Sequence, residues 1–189
     1  GVYQQACPIM PNGNRALVGC VGVATAQIVA YLAPPSLSFN WNRLVTLGII
    51  NGSSINNAIE KDKVMVANYL RYVADGVNTN YSDTISTANR NDVCNFLLNN
   101  VLCEEVVVHN LETSNNVVAR MKDRLKLHLP FYMEAYELED DGEYSGHAFV
   151  VDGLVVQEKY VTAYSRIVRN LFHINWGWGG KADGYYLLS

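Results

Sequence analysis

Apolar residues follow a helical period in the first part of the chain. The period is clearest after Cys20, where Ala24 and Ile28 recur one turn apart and Pro34 and Pro35 stop the run. The same spacing predicts helices at residues 21–32, 55–73, 91–98 and 115–129. Cys20 therefore stands at the N-terminus of the first predicted helix.

Beyond Pro130 the pattern changes to short apolar runs, rich in β-branched and aromatic residues and separated by turn formers. These runs predict strands at residues 131–136, 147–152, 160–165, 171–176 and 185–188. An earlier β-branched run at residues 104–109 is also predicted as a strand. Helices followed by a mostly antiparallel sheet predict an α+β fold.

The composition indicates a folded protein. The chain has 189 residues, 49% of them apolar and 17% charged, which is enough apolar surface to bury a core. We predict one domain over residues 1–189, with a mainly helical lobe at 1–100 and a mainly β lobe at 101–189.

Charge and hydropathy argue against two classes of partner. The net charge is −4, and the densest basic stretch, residues 120–126, is interrupted by Asp123, so we expect no nucleic-acid partner. Apolar runs such as residues 148–151 are far too short to cross a bilayer, so we expect no membrane span. The opening residues 1–13 lack the layout of a signal peptide.

The cysteines of the chain are Cys7, Cys20, Cys94 and Cys103. They form no C-x-x-C pair and no zinc-ribbon spacing, so we expect no metal site and no cofactor. We also expect free thiols, because a chain of this length does not need disulfides.

Cys20 differs from the other cysteines in its place on the chain. Unpaired N–H groups and the positive end of the helix dipole favour a thiolate at a helix N-terminus, which is the nucleophilic form. Gly19 lets the backbone turn sharply before it. The alternative is that Cys20 packs under the helix as a small apolar residue.

A histidine and a tryptophan-rich segment can complete a nucleophilic site. His147 follows Ser145 and Gly146 and opens an apolar strand, so its imidazole can point into a cleft and accept a thiol proton. In residues 172–180, two Trp and three Gly suit a loop whose rings shield a charged pair, with Asn175 or an indole N–H orienting the imidazole. A structural histidine and an aromatic corner of the core are the alternatives.

Gln5 lies in the irregular opening loop, upstream of Cys20. Its amide N–H, together with the main-chain N–H of Cys20, can hold the oxyanion of a tetrahedral intermediate. Most surface glutamines have no such role, so the residues alone leave this assignment open.

Taken in order, several segments resemble the streptopain family of bacterial cysteine peptidases, which adopt a papain-like fold. The matches are YQQ at 3–5, VGCV at 18–21, ATAQI at 24–28, FNW at 39–41, GHAFVVDG at 146–153 and HINWGWGG at 173–180. They occur in the family's order and span almost the whole chain. A single match would be weak evidence for the family, whereas the ordered set is specific to it.

The resemblance implies roles for individual residues. Cys20 matches the nucleophile, His147 the general base and Gln5 the oxyanion donor. Trp176 matches a tryptophan beside the catalytic histidine, where other papain-like enzymes place an orienting asparagine. Asn175 is therefore a site candidate whose role stays open.

On this resemblance we predict a cysteine endopeptidase that acts on protein or peptide substrates through a Cys-His pair. We place Ser145, Gly146 and Trp178 in the substrate cleft, Gly146 by its match to a cleft position, and the cleft is expected to prefer an apolar residue two positions before the cut. Two alternatives stay open. One is a catalytically silent papain-like binding domain, and the other is an amidase or transglutaminase on the same fold.

The family is made as a secreted zymogen, so the resemblance implies a bacterial secreted or cell-surface protein. Any inhibitory propeptide is expected to be removed from this chain, and a propeptide or protein inhibitor is a candidate partner. Three features depart from the family: Gly22-Val23 in place of Ala-Thr, a long stretch at 154–170 that predicts a protruding hairpin beside the cleft, and an end at Ser189 before the usual glycine-rich loop.

Overall fold

The described helices lie in the first two thirds of the chain, and one antiparallel sheet occupies the last third. The computed structural model describes residues 2–46, 58–113, 116–140, 142–162 and 165–188. The helices are a 3-10 turn at Val2–Gln4, α1 Cys20–Leu32, α2 Trp41–Thr46, α3 Glu60–Gly76, α4 Arg90–Asn99 and α5 Val117–Lys126. The strands, β1 Phe131–Leu138, β2 Tyr144–Thr162, β3 Ser165–Asn175 and β4 Gly184–Leu187, lie in the order β1-β2-β3-β4.

Successive residues of β2 point to opposite faces of the sheet, and each face carries its own apolar cluster. Ala148 and Val150 pack into the cluster formed by α1, α3 and α4. Phe149 and Val151 pack with residues of β3 and α5 on the other face. The sheet is therefore covered on both faces at residues 148–151 of β2.

Helix α1 lies in the centre of the larger cluster, and small residues let its neighbours come close. A Cβ at Gly22 would lie 3.3 Å from Ala74 Cβ on α3 and 3.2 Å from Val18 Cγ1. Tyr69 of α3 is fully buried and its hydroxyl donates to the Ala26 carbonyl at 2.8 Å. The glycine that departs from the family pattern thus permits tight contact between α1 and α3.

The predicted helices are confirmed with shifted ends. The run at 55–73 becomes α3, which begins at Glu60 and continues to Gly76, while residues 55–57 lie outside the described part of the chain. The run at 115–129 becomes α5, which ends at Lys126, while residue 115 lies outside the described part of the chain. Helix α2 was not predicted, because six residues are too few to establish a helical period.

Two strand predictions are wrong. Residues 104–109 form no strand, because Val107 and Val108 are more than half exposed and no neighbouring strand pairs with them in the described part of the chain. Residues 160–165 are not a separate strand: 160–162 end β2, and Ser165 begins β3. The stretch at 154–170 forms a two-stranded ribbon from the Val156–Asn170 pair to the Thr162–Ser165 pair, as expected of a hairpin. Its position beside the cleft stays a prediction.

Cys7, Cys20, Cys94 and Cys103 are free thiols in the structure. Within the described residues, none of the helices combines the length and apolar character needed to cross a bilayer.

Candidate active site

Cys20 is the first residue of α1, and the backbone before it takes a conformation that suits glycine. Gly19 has φ 84°, in the left-handed region, and a Cβ there would lie 2.7 Å from the Ser86 carbonyl oxygen. This turn directs the half-buried thiol of Cys20 toward β2. There the side chain of His147 and the main-chain N–H of Ala148 hydrogen-bond to the sulfur.

Cys20 and His147 share a hydrogen bond, and the pKa values of both groups shift in the directions that favour an ion pair. Burial raises the pKa of Cys20, but the hydrogen bond with His147, the Ala148 and Val21 N–H groups and the charge of His147 together outweigh burial and lower it. The hydrogen bond with Cys20 raises the pKa of His147, although burial opposes it; the Trp176 main chain and the thiolate charge add to the rise. Both shifts move the pair toward thiolate and imidazolium.

The second nitrogen of His147 is held by a main-chain carbonyl. His147 Nε2 lies 2.9 Å from the Trp176 oxygen, and because a carbonyl only accepts, Nε2 carries the proton. Nδ1 is then the nitrogen that remains for Cys20. The group that orients the imidazole through this bond is the Trp176 backbone, which the sequence analysis did not predict.

Asn175 lies beside that carbonyl in sequence and is buried. Its Oδ1 accepts from Gln27 Nε2 at 3.1 Å and from the Gly177 N–H at 3.0 Å. The expectation that its side chain orients His147 stays a prediction, since these two bonds link Asn175 to α1 and to the loop after β3.

Both tryptophans of the motif lie against His147. The centroid of the Trp178 ring is 4.9 Å from that of the imidazole, and the centroid of the Trp176 ring is 5.8 Å from it. The two indoles stack on each other at 5.6 Å, and Trp178 is 54% exposed. The Trp176 N–H donates to Asp183 Oδ1 at 2.9 Å, so this loop is held at both ends. The rings cover the outer side of the imidazole from water.

The remaining predicted residues lie on loops and at a strand end. Gln5 follows the 3-10 turn with its side chain exposed and its main-chain N–H donating to Val2. Ser145 and Gly146 stand at the exposed start of β2. A Cβ at Gly146 would lie 2.8 Å from the Tyr136 ring, so that ring covers the glycine and a side chain there would have to displace it.

A polar cluster on β1, missed by the sequence analysis, lies on the same side of the sheet as Cys20. Glu134 accepts from the Tyr132 hydroxyl at 2.6 Å, the Arg90 Nε at 2.8 Å and the Tyr136 hydroxyl at 2.9 Å. Burial raises the pKa of Glu134, but these bonds outweigh it and lower the pKa. The pKa of Tyr132 is raised by burial, by Glu134 and by the charge of Cys20. The alternation Tyr-x-Glu-x-Tyr in a predicted strand was the available signal.

Comparisons with known proteins give relatives along almost the whole chain. The sequence model described as "Peptidase C10 family" matches residues 1–186. Streptopain of Streptococcus pyogenes is 25% identical over 210 residues, which cover 94% of this chain and 47% of streptopain. The "Thiol protease/hemagglutinin PrtT" of Porphyromonas gingivalis is 22% identical, over 96% of this chain and 21% of its own length. The chain therefore spans about half the length of streptopain and a fifth of PrtT.

A solved structure shares the fold. The interpain A cysteine protease of Prevotella intermedia superposes with a TM-score of 0.78 at 22% identity, covering 99% of this chain and 80% of that chain. This likeness confirms the predicted α+β, papain-like fold.

Proposed function

We propose that this chain, which belongs to the Peptidase C10 family, is an endopeptidase that cuts peptide bonds with Cys20 and His147. The family assignment confirms the streptopain resemblance, and the class of enzyme is cysteine peptidase. The chain spans 47% of streptopain. The activity, substrates and partners of the whole protein are therefore part of what we propose.

The first half of the reaction forms an acyl-enzyme. The Cys20 thiolate attacks the peptide carbonyl carbon, a C–S bond forms and the carbonyl electrons move to oxygen. When this tetrahedral intermediate collapses, the C–N bond breaks and His147 Nδ1 gives its proton to the departing amine. The products are a thioester on Cys20 and a free amine.

The second half releases the acid. Water attacks the thioester while neutral His147 takes its proton, and the thiolate leaves with the pair restored. In both halves the oxyanion is held by the Cys20 N–H, which is unpaired at a helix start, and by the Gln5 amide. One such donor contributes about 3 to 4 kcal/mol in related acyl transfer.

The single observation that carries this proposal is the hydrogen-bonded pair of Cys20 and His147 with opposite pKa shifts. A cysteine packed only for structure in a half-buried place shows the opposite shift: burial raises the pKa of Cys103, for example. A lowered thiol pKa beside a raised imidazole pKa is the arrangement that a nucleophile and its acid-base partner require.

The test replaces the nucleophile. We expect Cys20→Ala to fold normally and to lose peptide cleavage, measured with a fluorogenic peptide and with an unfolded protein substrate. In the unchanged chain, iodoacetamide should label Cys20 far faster than Cys7, Cys94 or Cys103, as mapped by mass spectrometry. Thiolate character sets these rates.

Cys94→Ala is the matched control, because Cys94 is also a partly buried free thiol on a helix. It should keep full activity. Cleavage retained by Cys20→Ala, or equal labelling of all four thiols, would refute the proposal.

The two alternatives predict different products. A silent binding domain cleaves nothing, and its Cys20 is not labelled preferentially. An amidase or transglutaminase releases ammonia from side-chain amides and leaves the peptide backbone whole. Mass spectrometry of one peptide panel, with and without an added primary amine, separates these results from peptide-bond hydrolysis.

The proposal extends to the cleft and to the setting of the enzyme. Ser145, Gly146 and Trp178 line the approach to Cys20, and the Tyr136 ring over Gly146 supports an apolar contact for the residue two positions before the cut. By analogy with the family we also propose export from a bacterial cell and control by a propeptide or protein inhibitor.

A further inference from the structure

A hydrogen-bonded route leads from the body of α1 back to His147. Gln27 lies about two turns after Cys20 on the same helix. It is only 6% exposed in a mostly apolar helix, and its Nε2 donates to Asn175 Oδ1. A buried amide has to be satisfied by a partner, so this bond constrains both side chains.

The network itself assigns the atoms. The main-chain N–H of Gly177 can only donate, so the Asn175 atom that faces it at 3.0 Å is the oxygen. The Gln27 atom that faces the same oxygen at 3.1 Å must then be the amide nitrogen. Gln27 is therefore the donor, and a side chain without a donor cannot replace it.

The Gly177 N–H and the Trp176 carbonyl belong to one planar peptide group. Asn175 holds its N–H, and His147 Nε2 donates to its oxygen at 2.9 Å. Fixing the N–H sets the direction of the carbonyl, and hydrogen bonds at both ends polarise the peptide and strengthen it as an acceptor. The route returns to the helix where it began, because His147 hydrogen-bonds to Cys20, and Cys20 and Gln27 both lie on α1.

We infer that Gln27 is a positioning residue: through Asn175 and the Trp176–Gly177 peptide it sets the orientation of His147 toward Cys20. The inference rests on the proposed function, since it concerns the same pair. Helix α1 then supplies the nucleophile and also, through Asn175, holds the Trp176 carbonyl that orients His147.

The first variant is Gln27→Met, which keeps the length of the side chain and removes the donor. We expect kcat/KM for a peptide substrate to fall by about tenfold, because the carbonyl is no longer held in place. The Trp176 carbonyl raises the pKa of His147, so loosening it lowers that pKa. The alkaline limb of the pH profile of kcat/KM should therefore move to lower pH, by on the order of half a unit.

The second variant, Gln27→Glu, has nearly the same shape and tests the donor directly. Burial raises the pKa of an introduced carboxyl. In its protonated form Glu donates to Asn175 Oδ1, whereas the ionised form cannot. We expect activity close to wild type at acid pH, falling toward the level of Gln27→Met as the pH rises.

Thr25→Val is the matched control. Thr25 is 1% exposed on the same helix, and its hydroxyl has no hydrogen-bond partner among the described residues. The change should leave kcat/KM and both limbs of the profile unchanged. If Gln27→Met does not fold, as judged by thermal melting, the pH-dependent rescue in Gln27→Glu decides the question.

Profiles of Gln27→Met and Gln27→Glu that match Thr25→Val, in an active wild type, would overturn this inference and leave the proposed function standing. A wild type without cleavage and without preferential labelling of Cys20 would overturn the proposed function, and this inference with it.

Discussion

Strands β2 and β3 pair with each other along most of their length, yet two regions of this pair differ in what covers them. In the inner half, residues 144–153 and 171–175, Val151 pairs with Ile174 and both are buried. In the outer ribbon, residues 156–162 and 165–170, Tyr160 is 69% exposed and Ile167 is 48% exposed. A register shift between Val151 and Gly153 lies at the boundary.

The difference comes from neighbours rather than from residue types. Strand β1 pairs with residues 144–151 of β2, and β4 pairs with residues 171–174 of β3, so the inner half has strands on both sides and helices on both faces. β-branched residues continue into the ribbon, where residues 156–162 of β2 pair only with residues 165–170 of β3 in the described part of the chain. The candidate catalytic histidine lies in the inner half, where packing on every side can hold it.

The largest expected effect comes from changing the histidine of the inner half. His147→Ala should lower kcat/KM by about a thousandfold or more, because the acid-base group is lost. Cleavage by the wild type uses the thiolate and the imidazolium together. It therefore needs a pH above the lowered pKa of Cys20 and below the raised pKa of His147. Without His147 the pKa of Cys20 rises toward that of an ordinary thiol, so the midpoint of iodoacetamide labelling against pH should move upward.

The control for this variant is His173→Ala. His173 lies on β3 of the same sheet, with Nδ1 2.6 Å from Asp152 Oδ1. Its loss should leave both the cleavage rate and the labelling midpoint of Cys20 in place. A similar loss of activity in the two variants would mean that the inner half responds to the loss of any histidine side chain, and that His147 has no special role.

A smaller effect, on stability, compares the two regions along one strand. Phe172 is 1% exposed in the inner half, and Phe172→Ala should lower the free energy of unfolding by about 3 to 5 kcal/mol, through lost burial and a cavity. Ile167→Ala in the ribbon should cost less than about 1 kcal/mol, since the side chain is half exposed. Urea unfolding of both variants measures the difference. Equal losses would show that contacts in solution cover the ribbon.

The sequence predicted those parts of the fold in which a local pattern decides the structure. Helix α1 ends at Leu32, as predicted, because the apolar run stops before a pair of prolines, and it begins one residue before its predicted start. The run at 104–109 has the residue types of a strand, but a strand needs a partner beside it, and no local pattern supplies one. The sequence showed the ribbon as a long stretch at residues 154–170. It did not show that β2 continues into this stretch as one strand.

The candidate site divides in the same way. Cys20 and His147 could be named because side chains and motifs carry their chemistry. Their meeting depends on β2 packing against the start of α1, far apart in sequence. The acceptor of the second His147 bond is a main-chain carbonyl, and every residue has one, so no pattern distinguishes it. Gln27 had a signal, a polar residue inside an apolar helix, but its partner became visible only in the fold.

The smallest expected effect comes from removing the ribbon. Replacing residues 156–170 by Asn-Gly should join Val155 to Leu171, which pair in the structure, through a tight type I′ turn. Because ribbon side chains are exposed on both faces, the deletion uncovers little core, and kcat/KM for a short peptide should stay within about twofold of wild type. A large loss on the short peptide would place the ribbon in the cleft itself. A loss confined to folded protein substrates would instead make the ribbon a contact for large substrates, separate from the chemistry of the inner half.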